Sequence, residues 1–253
     1  NNTGDLLPKF ITVSNIISKD PEQVIEGNER VIRPRLADAR FFFDTDRART
    51  LASRLEPLKK LTFQDKLGSV YDKSIRVSVV AKSMASKLGV DAEYCEKAAK
   101  LSKCDLLTNM VGEFPDLQGV IGSYYARYDG EPEEVCKALR EQYLPKFSGD
   151  KLPETISGSI LAITDKLDST VGLFGIGQPP TGSKDPFALR RSAIGILRIL
   201  VEKKLDLNVL ELIREVIGAY AETPISDDTE DKVFDFLLER FRSWYLDDGI
   251  TSE

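Results

Sequence analysis

Apolar residues recur at helical spacing along most of the chain. Val77, Val80, Met84 and Leu88 step by three and four positions and make one stripe. Gly89 predicts the end of that helix. Asp91 predicts the start of the next, running through Ala98, Leu101 and Leu106 toward Met110. Phe114-Pro115 breaks or kinks it, because proline disfavours helical backbone in the residue before it. A third helical segment covers 118–128, Asp129-Gly130 is a turn, and Glu131-Pro132-Glu133-Glu134 opens a further helix. Ile156, Ile160, Ile163, Leu167, Val171 and Phe174 form a second stripe. After a Gly/Pro loop over 175–184, Asp185-Pro186 predicts the cap of a strongly apolar helix reaching Leu205. Two more helices follow, over 208–220 and 229–245. Nearer the start, residues 1–5 read as a turn, and Asp20-Pro21-Glu22 opens a helix continuing through 24–43. Phe10-Ile11-Thr12-Val13 alone reads as a strand. The expectation is an all-α fold with a short β element at the N-terminus. An orphan strand needs partners that the remaining pattern does not offer, which suggests an upstream domain.

Composition narrows the chemistry. The 253 residues contain no histidine, so no Ser-His-Asp triad, Cys-His dyad or His-ligated zinc can be built. A general base near neutral pH has to be a raised carboxyl or a depressed lysine. Cys95, Cys104 and Cys136 are an odd number with no CxxC spacing, which fits a reduced, cytoplasmic compartment. No run approaches the ~18 apolar residues of a membrane span. Net charge is −6, so any nucleic-acid contact has to come from a local patch.

Lys73 lies on one helical segment, Lys103-Cys104-Asp105 on the next, and Asp165 on a later one. Their order and spacing resemble the HD superfamily, whose H…HD…D pattern holds a metal that activates water for phosphoester hydrolysis. Lys73 stands where the first histidine belongs and Cys104 where the histidine of the HD pair belongs. Asp105 and Asp165 remain as ligand types, but an ammonium at the third corner repels a metal, so none is expected. The plainer reading is a core polar cluster, with Asp105 and Asp165 paired to Lys73, Arg76 or Arg190.

Between Thr181 and Lys204 six basic residues face two acidic ones. Lys184 precedes a helix N-terminus, where free N–H groups and the helix dipole favour anions. At 100° per residue, Arg191 and Arg198 share one outward stripe, while Arg190 sits beside Phe187 and Ile194 at the edge of the apolar arc. Lys184, Arg191 and Arg198 are therefore candidate RNA-backbone contacts, with a solvated helix face as the alternative. Arg190 is the candidate for a buried structural pair. Glu113 before a Phe-Pro kink, and Tyr124-Tyr125, read more readily as a packing corner than as a catalytic or base-stacking group.

Several stretches together carry a wider resemblance. They are Leu7-Pro8-Lys9-Phe10-Ile11-Thr12-Val13, Arg30-Val31-Ile32-Arg33-Pro34-Arg35-Leu36, Lys66-Leu67-Gly68-Ser69, Asp105-Leu106-Leu107-Thr108-Asn109-Met110 and Gly182-Ser183-Lys184-Asp185-Pro186-Phe187. In order and number they resemble the middle of the glycyl-tRNA synthetase beta subunit family, over nearly the whole chain. The resemblance implies an HD-like helical bundle that has lost hydrolysis. It places the end of an upstream domain and a connecting helix at 1–50, the degenerate HD-like domain at 51–205, and helices leading to an anticodon-binding domain at 206–253. It implies a non-catalytic, tRNA-contacting and scaffolding part of glycine–tRNA ligase, whose chemistry lies on the alpha subunit. ATP and magnesium are used by the whole enzyme and neither is expected to bind here. The implied partners are the alpha subunit and tRNA(Gly), with no membrane and no DNA. The competing readings are a metal-dependent HD-type nucleotide phosphohydrolase and a structural spacer.

Overall fold

The computed structural model describes residues 7–220, 223–247 and 249. It divides into two compact units, Asn1–Asp46 and Arg47–Glu253. In the first, an irregular segment leads into helix α1, Pro21–Asp46. The Asp20 carboxylate accepts from the backbone N–H of Gln23, so Asp20 caps the helix and Pro21 takes its first position. The strand read at Phe10–Val13 is absent: these residues have no strand pairing and stay exposed. A β-branched, aromatic run becomes a strand only where a neighbouring strand accepts its hydrogen bonds. The turn read at residues 1–5 lies outside the described residues.

The second unit is mainly helical. Two short 3-10 turns, Ala52–Arg54 and Glu56–Lys60, lead into a small antiparallel pair, β1 (Thr62–Gln64) and β2 (Gly68–Ser69). Gly68 turns the chain with a positive φ of 87°. Ser69 then caps α2, Val70–Lys87, in a reciprocal box with Asp72. The stripe of Val77, Val80 and Met84 is buried, and Gly89 closes α2 in the left-handed region. Asp91 caps α3, Ala92–Leu101. That helix ends earlier than its pattern suggests. Cys104–Leu107 is a 3-10 turn and Thr108 caps a separate short helix, α4, Asn109–Glu113. Threonine offered the chain a new start because its hydroxyl accepts the N–H of Val111.

The remaining helices are α5 (Val120–Tyr128), α6 (Glu133–Glu141), α7 (Ile156–Gly175), α8 (Leu189–Glu202), α9 (Val209–Ala219) and α10 (Thr229–Asp247). Helix α7 is the centre of the unit. It is apolar nearly all round, buried on all sides, and packed by α2, α3, α6, α8, α9 and α10. Helices α9 and α10 pack on α2, α7 and α8 within this same unit. No described helix is long and apolar enough to cross a membrane.

Candidate functional site: a buried charge cluster and an arginine helix

The helices α2 and α7 face each other with charged groups at their contact. Asp165 and Asp168 lie three residues apart on α7, so both carboxylates project from one side. Lys73 on α2 reaches them both. Its Nζ lies 3.1 Å from Asp168 Oδ2 and 3.3 Å from Asp165 Oδ1, and it donates to the Asp165 carbonyl and the Ser169 hydroxyl. One turn along α2, Arg76 Nε donates to Asp168 Oδ1 at 2.8 Å, and its guanidinium rests 4.0 Å above the Tyr220 ring. Tyr220 in turn donates its hydroxyl proton to the Asp168 carbonyl at 2.9 Å.

Lys103 reaches the same cluster from the turn after α3. Its Nζ donates to Asp165 Oδ2 at 3.1 Å and to Gln142 Oε1 at 2.9 Å. Burial pushes the Asp165 carboxyl up, but the ammonium groups of Lys103, Lys73 and Lys166 more than reverse this and hold it well below the usual carboxylate range. Lys166 carries the counterpart strain: burial pulls its ammonium down to about 8, against the attraction of Asp165. It donates to the Leu144 carbonyl at 2.8 Å.

Asp165 is thus paired with Lys73, in line with the polar-cluster reading, but the partner set differs from the one read from the sequence. Asp105 is not paired with Lys73, Arg76 or Arg190. Its Oδ2 accepts the Gly119 N–H at 2.6 Å, and burial raises its carboxyl. Cys104, read from the sequence as standing where an HD-type histidine belongs, forms no bond to these acids. It is fully buried, its thiol contacts the Lys100 carbonyl, and burial pushes it up to about 12. The neighbouring residue Lys103, at the start of the 3-10 turn that carries Cys104, reaches Asp165 instead. Asp168 completes the cluster. Its spacing from Asp165 was a readable signal; the reach of Lys103 was not. Among the described residues, no three acidic or thiol side chains gather as metal ligands.

The basic helix also differs from its expected phase. Arg190 is half-buried and makes no ion pair among the described residues, so the buried pair read for it is not formed. Arg198, read as outward, is the paired one. It bonds Glu202 at 2.7 Å and donates to the Asp150 carbonyl at 3.0 Å, with 15% of its side chain exposed. The loop after α6 folds over this part of α8, and no helical-wheel argument sees that cover. Arg191 is exposed, and Lys184 is exposed in a tight turn bridged to Thr181. The helix N-terminus beside Lys184 is already satisfied: the Asp185 carboxylate accepts the N–H groups of Leu189 and Arg190 at 2.8 and 3.0 Å. An incoming phosphate would meet that carboxylate, so the cradle expected there is closed. Elsewhere, Tyr125 is core while Tyr124 and Glu113 are exposed.

Comparison with known proteins adds a lineage to this geometry. The chain is 57% identical over 250 residues to the glycine–tRNA ligase beta subunit of Hahella chejuensis, 55% over 250 residues to that of Chromohalobacter salexigens, and 54% over 250 residues to that of Tolumonas auensis. Each match covers 99% of this chain and 36% of the relative, so the chain spans about a third of their length. The sequence profile described as "Glycyl-tRNA synthetase beta subunit" matches residues 1–253. With that match over its full span and with relatives above half identity, the chain belongs to the glycyl-tRNA synthetase beta subunit family.

Proposed function

We propose that this chain is a non-catalytic, RNA-contacting and scaffolding part of glycine–tRNA ligase, a cytoplasmic enzyme that joins glycine to tRNA(Gly) with ATP. The observation that carries the reading is the state of the α2–α7 cluster. Where a hydrolase of the HD type needs ligands and an open water position, this chain sets the ammonium groups of Lys73 and Lys103 directly against Asp165. A bound cation and these ammonium groups compete for the same oxygens. Asp165 and Asp168 therefore do not fit magnesium, and the ATP and magnesium of the whole enzyme belong on the alpha subunit. The phosphohydrolase alternative loses its support at the same point.

In this reading residues 51–205 keep the bundle of an HD-like domain without its chemistry, and 206–253 lead toward an anticodon-binding domain. The alpha subunit and tRNA(Gly) are the partners. Among the former contact candidates, Arg191 and Lys184 remain accessible to a phosphate backbone, and Arg198 is largely committed to Glu202 and Asp150.

Titration of labelled tRNA(Gly) with the chain at low and moderate salt tests the proposal, with a non-cognate tRNA beside it. Saturable binding whose affinity falls steeply with salt is the expected result. Absence of binding at low salt refutes an RNA contact, and measurable nucleotide hydrolysis refutes the loss of chemistry.

A further inference from the structure

A cavity of about 460 Å³ opens between α8, α10 and the segment after α6. Four arginines line it, Arg190, Arg191, Arg198 and Arg240, together with two aromatic residues, Phe147 and Trp244. Among the described residues, no aspartate or glutamate is part of the lining. Gathering four like charges around one hollow is unfavourable unless anions answer them. Two are answered by carboxylates outside the lining: Arg198 pairs with Glu202, and Arg240 with Glu239 at 2.6 Å. Arg190 and Arg191 have no such partner among the described residues. The Nε of Arg240 is buried and, among the described residues, donates to no acceptor. A buried N–H without an acceptor carries a desolvation cost that a ligand oxygen would remove. Phe147, at the rim, leaves 61% of its surface in water.

These features specify a ligand class. Spare guanidinium donors match phosphate oxygens in planar, two-pronged geometry. An exposed ring, Phe147, and a half-buried one, Trp244, lie beside them and match the π-face of a base. The volume lies within the roughly 300–1,000 Å³ of small-molecule sites. The geometry points to a site for one unpaired nucleotide, its phosphate against the arginines and its base against Trp244 or Phe147. This assignment rests on the RNA-contacting reading above and gives it a location. Two sources share the chemistry, a nucleotide splayed from a folded RNA and a free mononucleotide.

Trp244 is the only tryptophan of the chain, so its fluorescence reports from inside the cavity. The 253-residue chain is titrated with a single-stranded oligoribonucleotide, adenosine monophosphate, adenosine and inorganic phosphate. The oligoribonucleotide is expected to quench Trp244 saturably, adenosine monophosphate more weakly, and adenosine or phosphate least. Combining Arg190→Ala with Arg191→Ala is expected to weaken oligoribonucleotide binding about 10-fold or more and to lower its salt slope by about 0.7, the share of one phosphate on a single strand. Phe147→Ala, an exposed position, is expected to cost about 5-fold or more. Circular dichroism checks that each variant folds. Quenching by the mononucleotide and not by the oligomer keeps the site and names a free nucleotide as its occupant. No saturable quenching by either, up to millimolar concentrations, overturns the site, as does quenching that the double arginine variant leaves unchanged. Gel shift with tRNA(Gly) separates the two failures. If tRNA binds wild type and the double variant equally, the cavity is wrong and the RNA-contacting reading stands. If tRNA does not bind at all, that reading falls, and the mononucleotide titration alone judges the cavity.

Discussion

Replacing Asp168 by asparagine removes one negative charge and almost no volume. In the native chain Asp168 is 1% exposed and answers two cations, Lys73 at 3.1 Å and Arg76 at 2.8 Å. Breaking a buried ion pair on one side leaves an uncompensated charge and costs about 3–5 kcal/mol. Here part of that loss is cushioned. Lys73 keeps the Asp165 carboxylate and carbonyl, and Arg76 keeps the Leu67 carbonyl and the face of Tyr220. The expected cost is therefore at the low end, about 3 kcal/mol. For a chain of this size that is a fall in Tm of roughly 6–12 °C. Urea unfolding followed by circular dichroism, with calorimetry beside it, measures both quantities. The control is Arg33→Ala, whose pair with Glu29 on α1 leaves 81% of the arginine side chain exposed; it is expected to cost less than about 0.5 kcal/mol. A second variant, Arg76→Met with Asp168→Leu, removes both charges and is expected to lose less than Asp168→Asn alone. A cost below about 1 kcal/mol for Asp168→Asn refutes the reasoning, because it means the cations reach water without this carboxylate.

Three further outcomes follow from the same geometry. Lys166 has its ammonium pulled down to about 8 in the folded chain against 10.5 when free, so between those values the unfolded chain holds more protons and stability rises with pH. The burial cost is fully present below pH 8; comparing wild type with Lys166→Met from pH 7 to 10.5 isolates a gain of about 2 kcal/mol after discounting for partial exposure, and parallel curves would refute it. Cys95, Cys104 and Cys136 are all buried, and burial raises all three thiols, so iodoacetamide is expected to label none in native buffer and all three in denaturant, as counted by mass spectrometry. Gly172→Ala drives a methyl into the Tyr220 hydroxyl and is expected to cost about 2 kcal/mol or more in urea unfolding, since Tyr220 cannot retreat without losing the Asp168 carbonyl and the Arg76 face; a neutral result would show that the α7–α9 contact is loose.

Helix positions were legible because their causes are local. Asp20-Pro21, Asp91 and Asn208 cap the helices that follow them, and the apolar stripes of α2 and α7 lie inside. The strand expected at Phe10–Val13 failed for the opposite reason: strand formation needs a partner, and residue preference carries no information about one. The one strand pair among the described residues, at Thr62–Gln64 and Gly68–Ser69, is too short to show an alternating pattern. The arginine helix marks the same boundary between local and distant causes. Periodicity reads Arg191 and Arg198 as one outward stripe, but Arg191 is exposed while Arg198 is tied to the Asp150 carbonyl and Glu202. Arg240 and Trp244, which close the cavity beside Arg190, lie some fifty residues further along α10, and nothing in either segment announces the meeting.

Charge placement ties the two sites together. The interior cluster carries no excess of negative charge, with Lys73, Arg76, Lys103 and Lys166 set against Asp165 and Asp168. The chain's −6 is therefore carried mostly elsewhere. Against that acidic background the arginine cavity is a local exception, and a hollow with low-dielectric walls concentrates its own field. Helix α8, which bears three of the four arginines, packs directly on α7, whose charged groups are locked by Lys73 and Arg76. The ion pairs of Lys73 and Arg76 to α7 thus fix the helix on which the arginine face rests. Asp168→Asn, which loosens α7, is then expected to weaken oligoribonucleotide quenching of Trp244 as well as stability, while Arg191→Ala is expected to weaken quenching with no change in Tm. If Asp168→Asn lowers Tm and leaves the quenching curve untouched at 20 °C, the cluster holds the core alone and the arginine face does not depend on it.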